Sequence, residues 1–130
     1  MQFSTKAEYG LKAMANLAKH YPEQRTLREL AMDENISQKY LERLMNILRK
    51  DGLVVSSKGK LGGYILANKP SDIPVGAIIE SLDGTIAPMK CVGTLCASEK
   101  SCPSSKVWKK LGKTIHETLY AMSLNELMGK

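Results

Sequence analysis

The fold is decided by residues 37–52, which read SQKYLERLMNILRKDG. Apolar side chains recur in this stretch at intervals of three and four, the period of an amphipathic helix: Tyr40, Leu41, Leu44, Met45 and Leu48. Ser37 is a favourable N-cap, and Gly52 suits the turn that ends a helix. The stretch therefore predicts one helix with a buried apolar stripe and a polar outer face.

The residues on either side predict the partners of this helix. Thr26 and Glu29 fit a capping box that begins a short helix, and a tight turn then leads into the helix capped by Ser37. Downstream, residues 53–57 and 64–67 have the composition of strands, and the loop KGKLGG between them is rich in glycine. Two helices joined by a short turn and followed by a hairpin predict a winged helix-turn-helix.

The remaining predicted elements are helices. Thr5 and Glu8 fit a capping box for a first helix that ends near Tyr21, residues 75–82 predict a short helix, and a long helix begins near residue 104. The chain is therefore expected to be mainly α with a small β-hairpin wing, a winged helix-turn-helix followed by a long C-terminal helix. We divide it into a DNA-binding domain over 1–83, a cysteine-rich loop over 84–103, and a dimerisation helix with its tail over 104–130.

The last helix carries an apolar seam of its own. Its seam residues again alternate by three and four: Trp108, Leu111, Ile115, Thr118 and Met122. The seam either packs on the chain's own domain or pairs two subunits. We favour a homodimer, because a helix-turn-helix dimer reads two half-sites and needs an element that joins its subunits.

Composition restricts the classes of protein that this chain can be. The 130 residues include one Phe and one Trp, so the core is expected to be mainly aliphatic. No apolar run is long enough to cross a membrane, and the first residues lack the apolar stretch of a signal peptide. We therefore expect a cytoplasmic protein with reduced thiols and no membrane partner.

Positive charge is concentrated where the helix-turn-helix and the wing are predicted. The net charge is +6, and residues 37–60 alone carry six Lys or Arg and two acidic residues, which gives 6 − 2 = +4. Such a patch suits double-stranded DNA, although charge alone also fits a solvated surface. The predicted outward and wing residues are Gln38, Lys39, Glu42, Arg43, Asn46, Arg49, Lys50, Lys58 and Lys60.

Side-chain chemistry divides these residues between bases and backbone. Gln, Arg and Lys near the start of the helix can pair with adenine or guanine, and a carboxylate can accept a hydrogen bond from cytosine. Glu42 therefore either meets a cytosine amino group or pairs within its helix with Lys39 or Asn46. The residues predicted to contact phosphate, or the minor groove at the wing tip, are Arg49, Lys50, Lys58 and Lys60.

The three cysteines of the chain, Cys91, Cys96 and Cys102, lie within twelve positions. An odd number of closely spaced thiols is a poor disulfide framework. Structural zinc is not favoured, because zinc sites usually have a narrower cysteine spacing and a clear fourth Cys or His. A transient disulfide in thiol sensing and an iron–sulfur cluster are the other interpretations, and the wide spacing favours the cluster.

Five motifs carry a resemblance to a known family. They are STKAEYGLKAM at 4–14, ISQKYLE at 36–42, LRKDGLV at 48–54, KGKLGGY at 58–64 and the three-cysteine loop. With them the chain, up to about Leu127, resembles the IscR/NsrR family of iron–sulfur winged-helix repressors, also called the Rrf-two family. The resemblance implies a homodimer that binds imperfect palindromes and carries one cluster per subunit. It also implies base contacts from Tyr40 and Glu42 and a wing contact from Lys58.

The same resemblance bears on the cluster type and its fourth ligand. Members similar to IscR hold [2Fe–2S] and place a His three residues after the third cysteine, where this chain has Ser105. The nitric-oxide sensors hold [4Fe–4S] and use an acidic residue near the start of the first helix of the partner subunit, which matches Glu8. We expect Glu8 to be the fourth ligand, with Ser105, Glu99 or an exogenous ligand as alternatives, and we favour [2Fe–2S] over [4Fe–4S].

Together these inferences predict a cluster-sensing transcriptional regulator, a repressor of iron–sulfur cluster biogenesis genes, with no enzymatic activity. One alternative is a nitric-oxide-sensing repressor of the same family. Another is a cluster-free regulator that responds to thiol oxidation or sulfur metabolism. An electron-transfer protein is disfavoured, because a ferredoxin needs four thiolates and this chain has three cysteines.

Overall fold

A computed structural model describes residues 3–59, 62–86 and 103–128. The α-helices within these ranges are α1 (Thr5–His20), α2 (Leu27–Glu34), α3 (Gln38–Lys50), α4 (Val75–Asp83) and α5 (Ser105–Ala121). The hairpin strands are β1 (Val54–Ser57) and β2 (Gly63–Leu66), and two 3₁₀ helices cover Pro70–Asp72 and Leu124–Met128. The predicted fold class, mainly α with a small β-hairpin wing and a long C-terminal helix, is confirmed.

The cap of α1 lies one residue before the predicted one. The Ser4 hydroxyl accepts a hydrogen bond from the backbone N–H of Ala7 at 3.3 Å, so Ser4 is the N-cap. The predicted capping box of Thr5 and Glu8 is therefore wrong, because Thr5 already lies inside the first turn. Glu8 has no capping role, and its carboxylate lies 3.6 Å from the Lys12 ammonium.

The caps of α2 and α3 are as predicted. The Thr26 hydroxyl accepts from the N–H of Glu29 at 3.1 Å, and the Glu29 carboxylate accepts from the N–H of Thr26 at 2.9 Å. The Ser37 hydroxyl accepts from the N–H of Tyr40 at 3.1 Å. Between the helices, Asn35 adopts a left-handed conformation with φ of 54°, which Asn tolerates better than most residues. These caps define the helix-turn-helix.

The wing is a two-stranded hairpin with an isolated β-bridge beside it. β1 and β2 pair antiparallel, with Val54 opposite Leu66. Arg25 forms a β-bridge with Tyr64 of β2, in which each backbone N–H donates to the other residue's carbonyl, at 2.9 Å and 2.8 Å. The wing is thereby attached to the segment that leads into α2.

The main core lies where α1, α2 and α3 meet the wing. Its fully buried large side chains are Met14, Leu17, Leu30, Leu41, Leu44, Met45, Leu48, Val54, Ile73, Ile78 and Leu124. Burial of each such side chain contributes about 1.5–3 kcal/mol. A second, smaller cluster joins α1 and α4 to α5, and its members are Ala7, Leu11, Val75, Ile79, Ile86, Ile115, Leu119 and Met122. α3 is therefore fixed by the main core, whereas α5 packs on the smaller one.

Two glycines allow α4 to approach its neighbours closely. A Cβ atom on Gly10 of α1 would clash with the Leu82 side chain of α4. A Cβ atom on Gly76 of α4 would clash with the ring of Tyr120 on α5. α4 is therefore held tightly between α1 and α5.

The predicted division at residues 83 and 103 stays a prediction, because residues 87–102 lie outside the described ranges. The tail after α5 packs back onto the first part of the chain. Leu124 is fully buried in the main core, and its N–H donates to the Ile73 carbonyl at 2.8 Å. The C-terminal region thus contributes to the core of the winged helix-turn-helix.

Candidate functional site

α3 presents a polar face to solvent. Six residues predicted to contact DNA are exposed on this face: Gln38, Lys39, Glu42, Arg43, Arg49 and Lys50. The opposite face is buried in the main core, so packing determines which side of the helix faces outward. An exposed helix with four cations and one carboxylate suits the major groove between two phosphate backbones.

Glu42 is the one acidic residue among these six, and its carboxylate has no partner in the part of the chain that the structure describes. Across residues 3–59, 62–86 and 103–128, no hydrogen bond or ion pair to Glu42 occurs. The pair with Lys39 or Asn46, considered from the sequence, is therefore absent from the described ranges. A carboxylate in this position is repelled by phosphate unless it meets a donor such as the cytosine amino group.

Tyr40 lies at the contact between α1 and α3. Its ring packs edge-on against the ring of Tyr9, with centroids 6.0 Å apart and an interplanar angle of 86°. The Lys12 ammonium lies 5.3 Å from the centroid of the Tyr9 ring. Tyr40 is half-buried, so its ring packs in the protein while part of the side chain remains accessible at the border of the exposed α3 face.

The wing brings one of its two predicted contact residues into the described structure. Lys58 is exposed directly after β1, and Lys60 lies outside the described residues. Gly63 begins β2 with φ of 137°, and a Cβ atom there would lie 2.9 Å from the carbonyl oxygen of Arg25. Only glycine combines this conformation with so close an approach to a neighbouring backbone.

Sequence reasoning missed a polar cluster behind the helix-turn-helix. We call it the Arg25 cluster, and it comprises Asn16, Arg25, Glu29, Asp33 and Glu34. The Arg25 guanidinium donates to Glu29 at 2.8 Å and also to Asp33. The Asn16 amide donates to Asp33 at 3.1 Å and to Glu34 at 2.8 Å. These contacts with Asn16 and Arg25 hold the pKa of Asp33 below its usual value. The spacing of four between Arg25, Glu29 and Asp33 is visible in the sequence, but the contact of Asp33 with Asn16 on α1 is tertiary and has no local signal.

The last turn of α4 is tied to two other helices through Ser81 and Asp83. The Ser81 hydroxyl donates to the carboxylate of Asp51, the C-cap of α3, at 2.5 Å. The Asp83 carboxylate accepts from the N–H of Ser4 at 2.9 Å and from the Ser4 hydroxyl. The end of α4 therefore contacts the end of α3 and the beginning of α1.

Glu80 in the same turn connects α4 to α5. Its carboxylate accepts from the Tyr120 hydroxyl at 2.9 Å and lies 3.7 Å from Nε2 of His116. The rings of His116 and Tyr120 are stacked with centroids 4.4 Å apart. Burial, followed by the interaction with Glu80, raises the pKa of Tyr120, so this hydroxyl stays protonated as a donor. We call Glu80, Ser81 and Asp83 the α4 junction.

The predicted cluster ligands are only partly within the described structure. Cys91, Cys96 and Cys102 lie outside it. Glu8 is exposed on α1, whereas Ser105 is buried at the start of α5. Among residues 3–59, 62–86 and 103–128, no group of three or more His, Cys, Asp or Glu is placed to hold a metal ion.

Part of the predicted dimerisation seam of α5 packs on its own chain, and part is exposed to solvent. Ile115 and Met122 pack on the smaller apolar cluster of their own chain. Trp108 is half-buried, and Leu111 remains 41% exposed. Val107, one turn before Leu111, is 57% exposed. The exposed apolar surface of α5 therefore centres on Val107 and Leu111.

A helix-turn-helix with an exposed basic face on its second helix and a hairpin beside it defines a winged-helix DNA-binding protein. The model of the Rrf2 family, described as iron-dependent transcriptional regulators, matches residues 3–130. The chain belongs to the Rrf2 family, and it is a transcriptional regulator. The expectation that it is not an enzyme is confirmed by this membership.

Individual relatives agree with this assignment. The regulator IscR of Aliivibrio salmonicida is 37% identical over 130 residues, which cover 98% of this chain and 77% of that protein. The structure of CymR, the global cysteine regulator of Bacillus subtilis, superposes with a TM-score of 0.81 at 35% identity, covering 98% of this chain and 96% of that one. The structure of T. potens IscR gives a TM-score of 0.76 at 40% identity, covering 98% and 86%.

The longest helix in the described ranges, α5, has 17 residues. None of the helices there is both long and apolar enough to traverse a bilayer.

Proposed function

We propose that this protein is a homodimeric, iron–sulfur-sensing repressor that binds imperfect palindromes in the promoters of iron–sulfur cluster biogenesis genes in the cytoplasm. The observation that carries the proposal is the position of the three cysteines between α4 and α5. Because the α4 junction contacts α1, α3 and α5, a change in the cysteine segment can reach the DNA-reading helix through one helical turn.

The donor set of the chain fits an iron–sulfur cluster. Cys91, Cys96 and Cys102 supply three thiolates, and thiolates are the usual ligands of such clusters. Glu8 of the partner subunit would supply the fourth ligand, because this carboxylate is exposed and its one ion pair in the described ranges is with Lys12. The bound cluster, [2Fe–2S] rather than [4Fe–4S], would supply a centre sensitive to oxidation and to iron supply.

The DNA contacts follow from the exposed face of α3 and from the wing. The residues that would read or border base edges are Gln38, Lys39, Tyr40, Glu42 and Arg43. The residues that would neutralise phosphate are Arg49, Lys50, Lys58 and Lys60. Specificity then resides mainly at the beginning of α3, and salt-sensitive affinity at its end and in the wing.

Two copies would pair through α5, since regulators of this family bind DNA and are usually dimeric. Leu111 and Trp108, with the neighbouring Val107, offer the accessible apolar surface. Ile115 and Met122 already pack on the smaller cluster of their own chain and would contribute less to the subunit interface. Pairing would cover side chains that otherwise remain in water.

Regulatory coupling requires two arrangements of the DNA-binding domains in the dimer. The cluster must bind more tightly to the cysteine segment in one arrangement than in the other. The chain's own contacts support a route for it. Ser81 holds Asp51 at the end of α3, and Asp83 holds Ser4 at the beginning of α1. A shift of the α4 junction would therefore change the position of α3 relative to the dimer helix.

Anaerobic reconstitution with iron and sulfide tests the proposal. We expect visible absorption, matched iron and sulfide, and a change of about tenfold or more in affinity for a DNA duplex selected from a random pool. Cys96→Ser should abolish the absorption, whereas the control Ser101→Ala should retain it. A colourless protein after reconstitution, or unchanged DNA affinity after iron removal, contradicts the proposal. Bleaching of a [4Fe–4S] spectrum by nitric oxide would instead support the nitric-oxide-sensing alternative.

A second candidate is a cluster-free regulator that responds to thiol oxidation or sulfur metabolism. The likeness to the global cysteine regulator CymR favours it, because that structure matches nearly the whole length of both chains. Its distinguishing result is a colourless protein whose DNA affinity changes on treatment with peroxide. Cys91→Ser, Cys96→Ser and Cys102→Ser would then identify the responsive thiol.

A further inference from the structure

Arg25 connects α2 to the wing in two ways. Its side chain contacts α2, and its backbone pairs with the wing. The Arg25 side chain donates to Glu29 and Asp33 on α2. The Arg25 backbone exchanges two hydrogen bonds with Tyr64 of β2. One residue thus joins the helix-turn-helix to the hairpin.

Neighbouring side chains hold the Arg25 side chain in place. Its side chain is 17% exposed, and Asn16 on α1 is 6% exposed and donates to Asp33 as well as Glu34. Asp33 is therefore held from two sides, by α1 and by Arg25. A guanidinium can contact two carboxylates at once because its N–H groups are arranged in a planar fork, which a lysine ammonium cannot reproduce.

The base of the wing is held by the main core, in which Val54 and Leu66 are buried, whereas Tyr64, opposite Ser56, lies nearer the tip. β1 and β2 have four residues each, and a two-stranded hairpin is marginally stable in isolation. Tyr64 is the strand residue that pairs with Arg25, and Gly63 allows the Arg25 carbonyl to approach β2. The Arg25 bridge thus adds a restraint to the tip half of the wing, which carries Lys58.

We propose that Arg25 is a positioning residue for DNA binding, which fixes the wing relative to α3 so that Lys58 and the exposed face of α3 contact one duplex together. The proposal rests on the proposed function where it places Lys58 on DNA. Without the side-chain contacts of Arg25, α3 would still bind, but the contribution of the wing would be lost.

Amide hydrogen exchange on the full-length protein tests the structural half of the proposal. Arg25→Ala should accelerate exchange over residues 54–57 and 63–66 by about tenfold or more, while α3 keeps its protection. Arg25→Lys should be intermediate. The control Arg28→Ala removes an exposed arginine of α2 and should leave wing exchange unchanged. Should Arg25→Ala unfold the protein, Glu29→Gln provides the same comparison with a smaller change. Unchanged wing exchange in both variants overturns the proposal.

A double-mutant cycle on a duplex selected by the parent protein tests the DNA half. We expect Lys58→Ala to weaken binding several-fold in the parent and hardly at all in the Arg25→Ala background. In the Arg28→Ala background, Lys58→Ala should keep its full effect. Equal losses in the parent and in Arg25→Ala overturn the proposal. If Lys58→Ala costs nothing in the parent, the DNA half is also overturned, and the error lies in the wing contact rather than in the exchange result.

Discussion

α3 and α5 are both amphipathic helices, yet they complete their packing differently. Four apolar side chains of α3 are at most 1% exposed, and all lie in the main core of their own chain: Leu41, Leu44, Met45 and Leu48. α5 is longer, with 17 residues, but its buried positions are Ser105 and Gly112, while Val107 and Leu111 remain exposed. The core of its own chain therefore holds α3 in place, which agrees with the proposed DNA contacts of its exposed face. A helix whose apolar surface is left accessible is suited to a second copy of the chain.

The largest expected effect is on the α3 side of this comparison. Leu44→Ala should lower the free energy of unfolding by about 2–5 kcal/mol, because it leaves a cavity in the main core. Leu111→Ala makes the same deletion on α5 and should cost less than about 1 kcal/mol at low protein concentration. Urea unfolding of both variants measures the difference. Equal losses would show that α5 is packed as completely as α3.

The next effect is on subunit pairing. Leu111→Asp should raise the dissociation constant of the dimer on the order of 100-fold, because a charge cannot be buried in an apolar interface without cost. Sedimentation equilibrium measures it, with Lys106→Ala on the same helix as the control. A variant that remains as dimeric as the parent would mean that the exposed seam of α5 is not the subunit interface.

A smaller effect, on DNA affinity, is expected at the α4 junction, which lies between α3 and α5. Ser81→Ala removes the hydrogen bond between α4 and Asp51 at the end of α3. The ratio of DNA affinities between the reconstituted and the iron-free protein should fall about fivefold, which corresponds to roughly 1 kcal/mol. Fluorescence anisotropy with labelled duplex measures both affinities, and Ser71→Ala, at an exposed position of the 3₁₀ helix, is the control. A ratio equal to that of the parent argues against the α4 junction as the route.

The smallest effect concerns acid stability of the α2–wing connection. Asn16 and Arg25 lower the pKa of Asp33 from its ordinary value of 3.8 in the folded state. The contribution of Asp33 is therefore complete above that value and is lost as pH falls through the lower folded pKa. Urea midpoints at pH 7 and below pH 3 should differ less in Asp33→Asn than in the parent. An identical difference in the two proteins would show that Asp33 gains nothing from its partners.

Local signals in the sequence predicted much of the fold. Ser37 and the Thr26–Glu29 box lie next to the helices that they cap, so their chemistry can be recognised within four residues. The same signal was ambiguous at α1, where Ser4 and Thr5 offer equivalent hydroxyls and the tertiary contact with Asp83 accompanies Ser4. Helical periodicity placed the α3 stripe correctly for the same local reason.

The parts that could not be predicted depend on contacts between distant residues. The bridge from Arg25 to Tyr64 spans almost forty positions, and no pattern of charge announces it. The apolar residues of α5 share one helical period, but some pack on their own chain and others are exposed. Which of them face the chain's own α4 depends on Gly76 and Ile79. Exposure of the α3 face agrees with the predicted DNA contacts, and their individual roles remain predictions.

The close approach of Gly10 to Leu82 links the position of the end of α4 to α1. Adding a single methyl group in Gly10→Ala would displace the Leu82 side chain, which lies one residue before Asp83, while the buried stripe of α3 stays in place. Because Asp83 belongs to the α4 junction, such a variant would disturb the junction without changing a cysteine or a predicted DNA contact.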